Sequence, residues 1–305
     1  MIVVTGGEGF IGKNLVAELT RRGAIGVIIL DTKNESLDSI FNWLMTHATE
    51  IDCIYHLGAI TDTTVMDRNL FDEYNVAASI FIWNICYAFG IPLIYASSAA
   101  TYGDGEDGFD DEKDIIKLQP LNPYGWSKQQ FDVWVETQEN QPPFWVGLKF
   151  FNVYGFGEAH KGKMASVALQ LYHQIQFCSS PPKIQLFKSH RPDYKDGEQA
   201  RDFIYIDDVV DVCIWLANNK PASGIYNVGT GKARSFNDLA KAVFKSLGEP
   251  ENISYIDTPI KIRDKYQYFT EAKIDKLRGV GYDKKFHELE EGVLKYINKL
   301  KYENC

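Results

Sequence analysis

The stretch VVTGGEGFIGKNL, residues 3–15, passes from an apolar run into a helical pattern through three glycines, Gly6, Gly9 and Gly12. The run MIVVT reads as a buried strand, and residues 12–22 as a helix with Leu15, Val16 and Leu19 inward. Such a junction needs glycine for steric reasons. A tight turn demands positive φ, a pyrophosphate must reach the backbone, and the helix must lie close on the strand. The helix start then offers free N–H groups and the positive end of a dipole to phosphate. A second strand, VIIL (27–30), ends at Asp31, 19 residues after Gly12, where a carboxylate can accept adenosine ribose hydroxyls. These features predict a dinucleotide-binding unit; the alternative is a glycine turn that serves packing alone.

Outward from this unit, short apolar runs alternate with helical patterns. DCIYHL (52–57), PLIYAS (92–97) and FWVGLKFF (144–151) read as strands, and segments near 37–47, 70–89 and 123–139 as helices. That alternation implies a parallel sheet covered on both faces. Beyond residue 151 the pattern loosens. Residues 155–166 and 190–202 read as polar loops, 166–177 as a helix, and 203–219 as a strand followed by a helix; 235–247 and 287–300 are amphipathic helices. The expected fold is α/β, a Rossmann-like doubly wound parallel sheet with a smaller interleaved α/β substrate-binding domain. The first domain is expected over 1–151, with returning segments at about 203–230 and 267–281. The second takes 152–202, 231–266 and 282–305.

Composition narrows the function. A net charge of −9 without a basic tract argues against nucleic acid or an anionic membrane as partner, and no apolar run is long enough to span a bilayer. Five scattered cysteines (Cys53, Cys86, Cys178, Cys213, Cys305) and no leader-like segment are expected to be free thiols in a reducing cytoplasm. The six histidines show no metal-binding spacing, so no metal is expected.

NPYGWSK (122–128) sets Tyr124 and Lys128 four residues apart after a proline suited to a first helical turn. Residues at i and i+4 share a helix face, and an ammonium beside a phenol lowers the phenol's pKa. Tyr124 becomes a candidate proton shuttle; the alternative is a surface tyrosine with a solvated lysine. YASSAATYG (95–103) puts Ser97 and Ser98 at the C-terminal end of a strand, the edge where open α/β sheets bind ligands. With TGGEGFIG, YHLGA and YGWSK in this order, the chain resembles the extended short-chain dehydrogenase/reductase family. The resemblance implies a triad of Ser98, Tyr124 and Lys128. It also implies cofactor contacts from Gly6, Gly9, Phe10, Ile11, Gly12, Asp31, Thr32, Leu57, Gly58, Ala59, Asn75, Tyr124, Lys128 and Val153.

LIYASSAATYG, KFFNVYG, EAHKGKMASVA, RDFIYIDDVVDV, GIYNVGTGKARSF and KYQYFT resemble a narrower group in that family, the epimerases acting at C6 of ADP-linked glycero-manno-heptoses. The resemblance implies transient oxidation at C6 by a bound nicotinamide, NADP with NAD as the alternative. It further implies a nucleotide-sugar lipopolysaccharide precursor as substrate and a homo-oligomer. It makes Lys161 a second acid/base, and Ser98, Asn152, Lys163, Gln170, Phe187, Ser189, Arg201 and Tyr266 substrate contacts. From the residues alone, Lys161 can equally be a solvated loop lysine, and Arg201 a surface partner of Asp202. The chain departs from the group in several places. The stretch after Asp31 is short, Glu8 lies in the glycine turn, the 188–200 loop is long, and Lys163 stands where serine is usual. Another nucleotide-sugar epimerase, a reductase or a non-catalytic dinucleotide sensor therefore stays open. A dehydratase is disfavoured, because Ala99, Ala100 and Thr101 occupy the place of its acid/base pair.

Overall fold

The computed structural model describes residues 1–177, 181–263 and 266–303. In chain order the first elements are β1 (Ile2–Thr5), α1 (Phe10–Arg21), β2 (Val27–Leu30), α2 (Leu37–His47), β3 (Cys53–His56), α3 (Arg68–Phe71), α4 (Ala78–Phe89), β4 (Leu93–Ser98), α5 (Pro123–Glu136) and β5 (Trp145–Phe150). They are followed by β6 (Asn152–Tyr154), α6 (Val167–Gln176), β7 (Ile184–Phe187), β8 (Ala200–Tyr205), α7 (Ile206–Asn219) and β9 (Gly224–Val228). The last are β10 (Ala233–Ser235), α8 (Phe236–Leu247), β11 (Ile253–Ile256), α9 (Ile260–Arg263), α10 (Asp275–Gly279) and α11 (Leu289–Glu303).

The chain forms two compact units. The first takes Met1–Phe150, Val209–Val228 and Ile274–Asp283. It is built on a six-stranded sheet in the order β2-β1-β3-β4-β5-β9, parallel throughout. Val3, Val4, Ile54, Leu93, Ile94, Val146 and Leu148 are wholly buried, as strands covered on both faces require. Because every strand runs the same way, Asp31, Leu57 and Ser98 come out at one sheet edge, past or at the ends of β2, β3 and β4. The second unit takes Phe151–Asp208, Gly229–Lys273 and the segment from Lys284 onward. It holds a three-stranded sheet, β10-β8-β6, and a parallel pair, β11-β7. Its helix α8 starts with a reciprocal Ser235–Asp238 capping box and stops at Gly248, whose φ is 76°.

Three expectations are corrected. Of the segment 203–230 only β9 joins the large sheet; residues 203–205 lie in β8, which pairs with β6 and β10. An apolar run tells that a strand is buried, not which strand it pairs with. Residues 267–273 stay in the second unit, where Phe269 bridges Ala200 and the Ala272 N–H donates to Asp202. Finally, the helix expected over 70–89 opens into a π-turn at Asp72–Ala77, where the buried Asn75 amide bonds the Ile60 backbone in both directions. Of the cysteines, Cys53, Cys86 and Cys213 are free thiols, whereas Cys178 and Cys305 lie outside the described residues. Among the described residues no helix is long and apolar enough to cross a membrane.

Helix α5 begins where local chemistry dictates. The Asn122 side chain accepts from the Gly125 N–H at 2.8 Å, and Pro123 occupies the first turn. Asn122→Ala is expected to lower the unfolding free energy by about 1 kcal/mol in urea titration, and Asn122→Asp to recover most of the loss.

Candidate active site

Strand β4 delivers Ser98 into the 3₁₀ turn Ala99–Tyr102, where its Oγ accepts from the Ala100 N–H at 3.1 Å and its carbonyl accepts from Thr101 Oγ1 at 2.8 Å. Helix α5 brings Tyr124 to the same place, and the phenol hydrogen-bonds Ser98. Lys128, one turn on, is buried and donates to the Ala96 carbonyl of β4 at 2.8 Å. Ser127 donates to the Tyr124 carbonyl and accepts from Asn75. The three triad candidates thus lie at one junction of β4 and α5.

Electrostatics here differ from the expectation of a lowered phenol. Burial pushes the Tyr124 phenol up; its bond to Ser98 opposes this, and the Asp132 carboxylate adds to it. Losing water costs a phenolate more than one hydroxyl returns, and the neighbouring ammonium is turned to the Ala96 carbonyl. Burial in turn pushes Lys128 down, to about 8, against the pull of Asp132. Burial thus draws both groups toward their neutral forms. Once the pair has lost one proton, a phenolate beside an ammonium is among its arrangements, and that is the form able to take a proton from an alcohol.

The glycine turn leaves β1 at Gly6, with φ 68°. A Cβ at Gly12 would collide with the Gly6 carbonyl, and one at Gly6 with Gly58, so helix start and strand end approach as closely as backbone allows. No side chain caps the first turn of α1. Asp31 is buried; its carboxylate accepts from the Glu8 N–H at 2.9 Å and the Lys33 N–H at 3.0 Å, tying the end of β2 to the turn. Thr32 is exposed, Phe10 is buried, and Ile11, Leu57, Gly58 and Ala59 are half-buried. A bare, uncapped backbone cradle with a carboxylate beside it fits a dinucleotide. Asn75, expected to contact the cofactor, is buried, and both its amide hydrogens are engaged, with Ile60 and Ser127.

The second unit carries the other candidates in separate groups. Arg201 is 8% exposed; its guanidinium donates to the carbonyls of Ala200 and Gln267 and lies over the rings of Phe236 and Tyr266. It is not the surface partner of Asp202, whose carboxylate takes N–H groups of Thr230, Gly231 and Ala272. No carboxylate pairs with Arg201 among the described residues, and burial pushes the guanidinium down. The Tyr266 ring also meets Phe187 edge-on. The Ser189 N–H donates to Asp196, and its hydroxyl donates to the Arg191 carbonyl and lies 3.3 Å from the Tyr268 hydroxyl. Asn152 is exposed and accepts from Thr270, and Val153 is half-buried in β6. The segment read as a loop at 155–166 contains the 3₁₀ turn Ala159–Met164, kinked at Gly162. There Lys161 is half-buried and Lys163 exposed, while Gln170 caps the Ala165 carbonyl from α6. Burial pushes the Lys161 ammonium down, opposed by Glu158; neither Lys163 nor Arg201 contributes. Among the described residues no group of three or more His, Cys, Asp or Glu side chains is placed to hold a metal ion.

The NAD dependent epimerase/dehydratase family matches residues 2–229. The chain belongs to that family. It is 43% identical to the ADP-L-glycero-D-manno-heptose-6-epimerase of Fusobacterium nucleatum, over 97% of both chains. It is 42% identical to the enzyme of that name from Nitratidesulfovibrio vulgaris, over 98% of this chain and 97% of that one. The crystal structure of the Helicobacter pylori enzyme of that name superposes with a TM-score of 0.81 at 28% identity, covering 98% of this chain and 96% of that chain. A UDP-N-acetylglucosamine 4-epimerase from Methanobrevibacter ruminantium shares the fold, with a TM-score of 0.82 at 22% identity over 99% of this chain and 98% of that one.

As a member of the NAD dependent epimerase/dehydratase family, the chain works with a nicotinamide cofactor. Two groups that support candidate residues, one in each unit, had gone unnoticed in the sequence. Asp132 continues the Tyr124–Lys128 spacing by one more turn, and its partner Lys149 sits in an otherwise apolar strand run. Glu158, wholly buried, accepts from the N–H groups of Gly155 and Ser166 and so clamps both ends of the turn that bears Lys161. Its signal was only a carboxylate in GFGEAHKGKM.

Turnover at limiting substrate is expected to rise as pH passes through about 8, where burial lets Lys128 shed its proton. Tyr124→Phe should lower kcat by about 10²–10⁴-fold with an unchanged circular dichroism spectrum. A Phe variant that keeps wild-type turnover would remove Tyr124 from the chemistry.

Proposed function

We propose that the protein inverts C6 of an ADP-glycero-manno-heptose by oxidation to the ketone and re-reduction on the opposite face. The observation that carries this is the Ser98–Tyr124–Lys128 junction at the sheet edge, beside a turn built for a dinucleotide. It joins a near full-length likeness to relatives that bear this activity in their name.

When bound, a nicotinamide would supply the hydride chemistry at C6, taking up the hydrogen with its electron pair and later returning it. The glycine turn and Asp31 hold the dinucleotide, and Lys128 keeps its ribose in place. NADP is the proposed form, because Lys33 stands next to Asp31 and can attract a 2′-phosphate, whereas Asp31 alone would repel it. Ser98 hydrogen-bonds the C6 oxygen. Tyr124, as phenolate, takes the hydroxyl proton as the C6–H bond breaks, leaving a carbonyl. Lys161, as ammonium, gives a proton to that oxygen when hydride returns to the other face. The two roles interchange for the reverse reaction, because inversion needs proton transfer on both faces. A lysine whose burial brings it closer to neutrality suits that exchange. Arg201, buried and with no carboxylate partner among the described residues, is the proposed partner of the substrate diphosphate. Asn152, Lys163, Gln170, Phe187, Ser189 and Tyr266 are proposed to contact the sugar nucleotide. The setting is the cytoplasm, the product a lipopolysaccharide precursor, and the working form a homo-oligomer.

The test is NMR of purified protein with ADP-D-glycero-manno-heptose and no added cofactor. Appearance of the L-glycero epimer, catalysed by nucleotide that copurifies, is the expected outcome; unchanged substrate with a bound-nucleotide enzyme would sink the substrate assignment. Lys161→Met should suppress epimerisation by at least about 10²-fold while bound nucleotide persists. Unaltered turnover would remove Lys161 from the chemistry.

A further inference from the structure

One helical turn beyond Lys128 lies a polar cluster that the reaction scheme leaves unused. Asp132 of α5 and Lys149 of β5 are both fully buried and form an ion pair of 2.7 Å. The Asp132 carboxylate also accepts from Ser97 at 2.6 Å and Tyr95 at 3.1 Å, both on β4. The Lys149 ammonium donates to Thr101 Oγ1 at 2.6 Å and lies 5.2 Å from the Tyr102 ring centre. Ser97 and Thr101 flank the catalytic Ser98, and Asp132 is the charge that bears on both Tyr124 and Lys128. A buried ion pair is rarely needed for stability, because well-packed apolar groups of like volume often serve as well or better. Its placement under the proton-transfer pair calls for another explanation.

We propose that Lys149 is a positioning residue for the reaction: its buried ammonium offsets the Asp132 charge and so sets the pH at which the Tyr124–Lys128 pair gives up its proton. Among the described residues named below, the other groups facing the cluster add no positive charge beyond Lys128 itself. Tyr95 and Tyr102 are pushed well above the ordinary phenol range by burial and stay neutral. His56 of β3, bonded to Thr5 and Ser79, is pushed down to about 3 by burial and is neutral too. Glu136 bears on Tyr95 from the end of α5, and Asp111 on Tyr102 through a chain in which Tyr102 bonds Asn227 and the Asn227 N–H bonds Asp111. Lys149 is therefore the counter-charge in direct contact with Asp132.

The proposal rests on Tyr124 and Lys128 as the proton-transfer pair, and a charge cycle tests it separately. Lys149→Met leaves a negative charge without its offset, which favours protons on the pair. The rise in kcat/KM with pH should move up by about one unit. Asp132→Asn leaves a positive charge without its offset and should move the rise down. Lys149→Met with Asp132→Asn should bring it back near its original pH, and Lys149→Arg should not displace it. Circular dichroism and thermal unfolding establish that each variant is folded. Shifts of the same sign in both single variants, or none in folded variants, would overturn the proposal. If Lys149→Met does not fold, the downward shift in Asp132→Asn and its reversal in the double variant decide; failure of either overturns it. A Tyr124→Phe variant that keeps full turnover would instead show that the pair itself is wrongly assigned.

Discussion

The bond from Lys128 to the Ala96 carbonyl joins the helix that carries Tyr124 to the strand that carries Ser98. Helix α5 cannot turn or slide on β4 without breaking it, and a buried ammonium that loses its acceptor is strongly disfavoured. Two further groups of polar side chains in the first unit adjoin helix α5. Asn75 ties the loop after β3 to Ser127 through the widened π-turn, and Asp132 gathers Ser97, Tyr95 and Lys149 below. The site is stiff because its hydroxyls, amide and charges satisfy one another inside a covered parallel sheet.

Parts of this arrangement were legible in the sequence. The glycines declare themselves because only glycine permits the close approach seen at Gly6 and Gly12. Tyr124 and Lys128 were legible because helical spacing is local. Asp132 lay on the same stripe, but its meaning depends on Lys149, 17 residues later on another element. Lysine in a wholly buried strand is a visible anomaly, yet nothing local names its partner. The sign of the Tyr124 shift was not legible either. Spacing gives the nearness of an ammonium, but not that the ammonium bonds a carbonyl or that the phenol is desolvated. Pairing of β8 with β6 and β10 was hidden for a similar reason, since an apolar run carries no address.

The second unit places a different constraint on the chemistry. Arg201 is buried between aromatic rings and backbone carbonyls, and Asp202, the obvious partner by sequence, is consumed in holding the Thr230 turn and Ala272. A guanidinium held in this way is costly in the free protein and favourable once an anion arrives, which suits recognition of a diphosphate. The Lys161 turn has an analogous support in Glu158. There a buried carboxylate holds the backbone of the turn and leaves Lys161 half-buried beside it.

The central claim is that the C6 hydrogen leaves and returns as hydride within one enzyme-bound cycle. Substrate deuterated at C6 and incubated with the purified protein in ordinary water tests it most directly. Mass spectrometry and NMR of the epimerised product are expected to show the deuterium still on C6, because hydride held by a nicotinamide does not exchange with solvent. Loss of the deuterium to water in step with epimerisation would mean that the carbon itself is deprotonated, and would contradict the account.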